Sequence, residues 1–200
     1  KQRDLTNATH HIIAILGDAS LTCGLTLEAL NNIPSDLSNF IVILNDNQMS
    51  ISESVGAMTQ ILNRIPDEEK KQDQTFSDCS SLTSSKILED APTARAFFRQ
   101  FGVEYRGVVD GHNLPHLVQE LKECKNLSAP MLLHIRNVKG KGLKSAESNP
   151  TTWHGCRPFD RNSEKFVASA PTRRTFPQVF GSHLCELAEN DPRIVVVSPA

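Results

Sequence analysis

Asp18, in Gly17-Asp18-Ala19-Ser20, and Asn47, in Asn45-Asp46-Asn47-Gln48-Met49-Ser50-Ile51, are the residues of this chain whose types and spacing best suit cation chemistry. Each follows an apolar run, His11 to Leu16 and Phe40 to Leu44, that reads as a buried strand. The residues between suit a crossover helix, and in a parallel pair made that way both strand ends open onto one crevice. A carboxylate and an amide oxygen side by side there can hold a hard divalent cation and the phosphate it carries. The backbone N–H groups of Ala19, Ser20 and Leu21, at the start of the following helix, favour an anion by hydrogen bonding and dipole. Asp18 could instead simply cap that helix, the commoner role for a lone Gly-Asp dipeptide. Three consecutive amide or acid side chains closing a buried strand are costly to bury unless paired, and this singles out residues 45–47.

The elements that must position these groups follow from periodicity. Strands are expected at 11–16, 40–44, 104–109 and 130–136, and helices at 21–32, 54–65, 92–101 and 113–124, with Pro66 stopping the second helix. Short apolar strands alternating with helices predict an α/β fold, a parallel sheet with helices on both faces. Residues 67–90, rich in charged residues and then in Ser, read as a surface loop or insertion. Residues 137–172 read as a long functional loop and linker. A new unit is expected from Arg173: a helix at 176–189 and a strand at 194–197, the start of a second α/β domain.

Two hundred residues suffice for one domain, or one and part of another. With 21 Lys and Arg against 23 Asp and Glu, the net charge of −2 argues against wholesale nucleic-acid or membrane binding. The five cysteines are scattered without CxxC spacing, which suggests reduced thiols. The longest apolar runs are strand length, far short of a membrane span. The chain opens at Lys1 without Met and stops directly after a strand-like run, so it is expected to be an internal fragment of something longer.

Gly17-Asp18-x, then Glu28-Ala29, then Asn45-Asp46-Asn47, with Asn47 following Asp18 by 29 residues, resembles the thiamine-diphosphate-binding motif of the transketolase-like superfamily. Val42 to Ser52, Val109-Asp110-Gly111-His112, Lys139-Gly140-Lys141-Gly142 and Trp153-His154-Gly155 resemble one family within it, the 1-deoxy-D-xylulose 5-phosphate synthases. The resemblance runs over almost the whole chain, including Ile194–Ala200, and is weakest at 67–90. It implies the thiamine-diphosphate-binding fold, with a binding-domain core at 1–136, an active-site loop and linker at 137–172, and the truncated beginning of the pyrimidine-binding domain at 173–200. It implies a transferase with thiamine diphosphate and Mg2+ as cofactors. Decarboxylated pyruvate would condense with glyceraldehyde 3-phosphate to 1-deoxy-D-xylulose 5-phosphate, the first step of non-mevalonate isoprenoid synthesis and a supply for thiamine and pyridoxal. A homodimer is implied, in bacterial cytoplasm or in a plastid.

Carried over by residue, the resemblance makes Asp18, the Asn47 side chain and the Met49 carbonyl the magnesium ligands, and gives Ala19 and Ser20 to the diphosphate through their N–H groups. Lys139 would contact a terminal phosphate, Leu143 would line the cofactor, and His154 would sit at its reactive carbon as proton shuttle or orienting group. Two positions depart from the family: Ala19 stands where Gly is usual, harmless at φ < 0 and costly at φ > 0, and Leu143 where Tyr is usual. The family's Glu that activates the aminopyrimidine ring and its upstream histidines fall outside these residues, so residues 1–200 alone are expected to show no turnover. Two alternatives stand beside the synthase: a transketolase-type ketol transferase, which Asn45 to Ser50 disfavours, and a non-catalytic Mg-diphosphate-binding fragment or degenerate paralogue.

Other histidines read as structural: His112 as a cap, His116 as surface, His10 and His11 as strand-edge residues, His134 as a satisfied core histidine. Arg136, Lys139, Lys141 and Lys144 have the charge for phosphate, with a solvated basic face as the alternative for all but Lys139.

Overall fold

Strands buried on both faces read as continuous apolar runs, and the run at Met131–Arg136 is the fully buried one of the four strands that form the sheet. The computed structural model describes residues 2–34, 36–64, 93–167 and 173–197. It divides into two compact units, Lys1–Gly155 and Cys156–Ala200.

In the first unit β1 (Ile12–Gly17), β2 (Phe40–Asp46), β3 (Glu104–Asp110) and β4 (Met131–Arg136) form one sheet in the order β1-β2-β4-β3. Every neighbouring pair is parallel, with Gly17 opposite Asn45 and Asp46 opposite Arg136. The carboxyl ends of all four strands therefore share one edge, where an open α/β sheet places its ligands. After α1 (Gln2–Leu5), the helices are a 3-10 turn (Ala19–Thr22), α2 (Gly24–Asn31), α3 (Ala57–Asn63), α4 (Ala94–Arg99), α5 (Leu114–Cys124) and α6 (Lys144–Ser148).

Alternation along the strands splits the core between the two faces. Val42, Leu44 and Leu132 pack with Leu30 of α2, Leu62 of α3 and Phe98 of α4. Ile41, Met131, Leu133 and Ile135 pack with Cys124, Leu117 and Leu121 of α5. The predicted parallel sheet with helices on both faces is thus the observed one. All six residues of β4 are buried, so its polar members, His134 and Arg136, need partners inside the protein.

Several expected elements differ. The helix expected at 21–32 is two pieces, broken where Cys23 is extended (ψ 134) ahead of Gly24. The helix expected from Ser54 begins only at Ala57; Val55 is exposed, and Met49 bridges back to Glu53 in a tight loop. Ile65, Pro66, the loop at 67–90 and Pro92 lie outside the described residues. Asn113, not His112, caps α5: its side chain accepts from the His116 amide at 3.2 Å. His112 instead uses Nε2 to accept the Val138 amide at 2.9 Å. The stretch at 137–172 is not loop throughout. It holds α6, residues 137–155 fall within the first unit, and β5 (Phe159–Asp160) pairs antiparallel with β6 (Lys165–Phe166) in the second.

The second unit continues with α7 (Phe176–Asn190), opened by a capping box between Thr175 and Gln178. No strand forms at 194–197: strand amides and carbonyls need a neighbouring strand, and these residues meet none among those described. Val195 and Val197 stay exposed.

Candidate active site

The sheet's carboxyl edge collects the expected groups. Asp18 is the residue directly after β1; its chain turns at once into the 3-10 helix, and its side chain is buried. Ser54 Oγ donates to Asp18 Oδ2 at 3.0 Å, and the Asn47 backbone N–H also supports this carboxylate. Asp18 and Asn47 are therefore neighbours, as their strand-end positions predict. Burial, and next the negative charge of Asp46, push the Asp18 carboxyl above its ordinary range, against those two donors.

Asn47 Oδ1 accepts the Met49 amide at 3.0 Å, closing a local turn and leaving the oxygen a second lone pair. Met49 is fixed by that bond and by its bridge to Glu53. Of the three amides expected to greet an anion, Leu21 N–H is already engaged by the Asp18 carbonyl at 3.1 Å. Among the described residues, the backbone bonds of this turn involve the Leu21 and Cys23 N–H groups and not those of Ala19 or Ser20. Ala19 is not among the residues with positive φ, so its methyl group is accommodated without strain where a glycine was the family's usual choice.

Lys139 and His154 meet at the same loop. Lys139 Nζ donates to the Ser50 carbonyl and to His154 Nδ1, the latter at 2.8 Å. An ammonium only donates, so Nδ1 accepts and the imidazole proton of a neutral His154 sits on Nε2. The Lys139-to-Gly142 turn is shaped by glycine: Gly140 has φ +80, and a Cβ there would fall 2.8 Å from the backbone of Ala146. Leu143 follows as the N-cap of α6, half-buried. Lys141 pairs instead with Glu147 at 3.9 Å.

Arg136 is not part of a basic face. It is buried at the end of β4, with NH2 3.0 Å from Asp46 Oδ2, the atom that also takes His134 Nε2 at 2.8 Å. On the far side of the ring, Tyr105 and His134 Nδ1 are 2.7 Å apart, so the phenol donates and His134 is a satisfied core histidine, as its place in the strand predicts. Burial would raise the Asp46 carboxyl, but His134, Arg136 and the Gln48 amide outweigh it and hold it below its ordinary range. Burial, foremost, keeps His134 below its own ordinary range.

Sequence reasoning did not assign Asp46, Ser54 or Tyr105 to this site. The available signal was His134 and Arg136: two polar residues two apart in an apolar strand share a face and require a buried acceptor. His116 lies 3.3 Å from Glu120 on the surface of α5, and His11 contacts the Lys125 carbonyl at 3.0 Å. No cluster of three or more His, Cys, Asp or Glu forms a metal centre among the described residues. A cation here would instead be held by one carboxylate and neutral oxygens. That set suits a hard ion such as Mg2+, and a buried carboxylate whose side-chain donor is a neutral hydroxyl gains most from one.

A family model described as 1-deoxy-D-xylulose-5-phosphate synthase matches residues 1–137. The 1-deoxy-D-xylulose-5-phosphate synthase of Chlamydia pneumoniae is 44% identical over 207 residues, covering 95% of this chain and 32% of its own length. That of Chlamydia trachomatis serovar L2 is 42% identical over 212 residues, covering 98% and 33%. The chain thus spans about a third of the length of these curated relatives. A transketolase from Campylobacter jejuni overlaps 72% of this chain and 18% of its own at a TM-score of 0.47 and 22% identity, too loosely to carry fold or function.

Proposed function

Because the chain belongs to the 1-deoxy-D-xylulose-5-phosphate synthase family, we propose that residues 1–155 form the cation- and diphosphate-holding part of a thiamine-diphosphate-dependent transferase. Its reaction is the decarboxylative condensation of pyruvate with glyceraldehyde 3-phosphate to 1-deoxy-D-xylulose 5-phosphate. The observation that carries this is that Asp18 and Lys139 both bond the loop at 47–54, which holds Asn47, while Lys139 also bonds His154.

Each residue has a separable task. Asp18, the Asn47 amide oxygen and the Met49 carbonyl hold Mg2+, which neutralises the diphosphate and the buried Asp18 charge together. The N–H groups of Ala19 and Ser20 take diphosphate oxygens. Lys139 gives its ammonium to a terminal phosphate, and Leu143 supplies an apolar wall. His154, protonated on Nε2, donates to or orients the reacting oxygen while Lys139 secures its other nitrogen. Bound thiamine diphosphate supplies the nucleophilic carbon and the electron sink, and the protein groups orient and polarise it. The same family reading carries Mg2+ dependence, a homodimer, and a bacterial cytoplasm or plastid as compartment. Among the described residues no helix is long and apolar enough to cross a membrane.

Titration calorimetry with thiamine diphosphate tests the reading. Binding is expected only with Mg2+ present, and Asp18→Asn is expected to weaken it at least tenfold. Binding that is equally tight without a divalent cation, or indifferent to Asp18→Asn, rejects this assignment.

A further inference from the structure

Asp46 is buried at the end of β2, and its bonds lead to Asp18. One carboxylate oxygen, Oδ2, is held from β4 by His134 Nε2 at 2.8 Å and Arg136 NH2 at 3.0 Å. Tyr105 on β3 secures the far side of the His134 ring. The other oxygen, Oδ1, accepts the Gln48 amide at 2.8 Å. Gln48 sits in the left-handed region, φ +62, which a non-glycine residue adopts at a cost and keeps only when its surroundings hold it. Besides the Asp46 bond, its side chain donates to Asn63 Oδ1 at 2.8 Å, and its carbonyl accepts the Ser54 amide at 2.9 Å. The Ser54 hydroxyl then donates to Asp18 Oδ2 at 3.0 Å.

We infer that Asp46 is a positioning residue for the cation site: it holds Gln48 left-handed, Gln48 holds Ser54, and Ser54 aims the Asp18 carboxylate. The inference rests on the reading that Asp18, Asn47 and Met49 hold a divalent cation. The path begins on a carboxylate fixed from β4 by two side chains, His134 and Arg136. The Asp18 carboxylate is thereby tied, through Ser54 and Gln48 of the loop, to a buried carboxylate at the end of β2. The turn that brings Asn47 Oδ1 to the Met49 amide depends on the same left-handed residue.

Mn2+ is the probe, its binding followed by electron paramagnetic resonance, with amide hydrogen exchange read in parallel. Asp46→Ala is expected to weaken Mn2+ binding about tenfold or more and to speed exchange at Gln48 and Ser54. The added change Gln48→Gly is expected to restore most of the affinity, because glycine holds a positive φ unaided. A merely structural Asp46 gives no such rescue. Should Asp46→Ala not fold, Ser54→Ala breaks the last bond of the path at a partly buried hydroxyl and is expected to lower affinity several-fold. Wild-type affinity in folded Asp46→Ala or in Ser54→Ala, or no recovery with Gln48→Gly, overturns the inference. Failure of the wild-type chain to bind Mn2+ at all rejects the cation site itself, and with it what Asp46 would position.

Discussion

Asp18 is placed at a cost to the fold. Its carboxyl is raised by burial and by Asp46, so the folded chain binds its proton more tightly than the unfolded chain does. Stability from this group is present below the ordinary carboxylate value and is lost as pH rises through the raised one. Asp46 has the opposite sign: its carboxyl is lowered, so its contribution is present above the ordinary value and lost as pH falls through the lowered one. In the absence of divalent cation, Asp18→Asn is therefore expected to raise the midpoint of thermal unfolding at neutral pH and to flatten its decline above pH ~4. Mg2+ should do the same for the unaltered chain and nothing for the variant. Melting curves at stepped pH, with and without Mg2+, check both. A drop in neutral-pH stability on Asp18→Asn contradicts the sign. At this scale the residue types were legible in advance: Asp18 and Asn47 announced themselves as oxygen donors following apolar runs. Asp46 did not, because nothing in Asn45-Asp46-Asn47 says which side chain turns inward; that depends on Arg136 standing opposite it in register.

At the scale of elements, the short turn before α6 has a geometry that only glycine allows. Gly140 combines φ +80 with an approach to Ala146 that leaves no room for a methyl group. Gly140→Ala is expected to cost on the order of 1–2 kcal/mol from the left-handed backbone alone. It should also pull Lys139 off the Ser50 carbonyl and weaken diphosphate binding. Chemical denaturation reads the first effect and calorimetry with inorganic diphosphate the second; unchanged diphosphate affinity would detach Lys139 from the proposed role. The four strands of the sheet were the most legible elements, since a run such as Met131 to Ile135 has few alternatives to a buried strand, and their observed ends differ by a residue or two; the strand expected at 194–197 did not form. Helix ends were less so. The break at Cys23 and the late start at Ala57 arise because the loops carrying Asp18 and Asn47 take up backbone that periodicity alone assigned to helix.

For the whole molecule, the chain spans about a third of the length of its curated relatives. Ile13 and Ile15 of the edge strand β1 are 51% and 71% exposed, though a run of that composition belongs to strands covered on both faces. Residues 1–200 by themselves are accordingly expected to bind the cation and diphosphate but to show no conversion of pyruvate and glyceraldehyde 3-phosphate. A product assay at high protein concentration checks this, and measurable 1-deoxy-D-xylulose 5-phosphate would show that the chemistry needs no more than these residues. The parallel α/β architecture, the strand-end placement of Asp18 and Asn47, and the family were legible in the order of residues alone, because apolar periodicity and short polar motifs are local. Which charged groups become neighbours emerged only in the folded chain. Whether Arg136 meets phosphate or Asp46, whether Ala19 is strained, and whether Lys139 reaches His154 are set by strand register, turn handedness and burial, and each of these couples residues far apart in the chain.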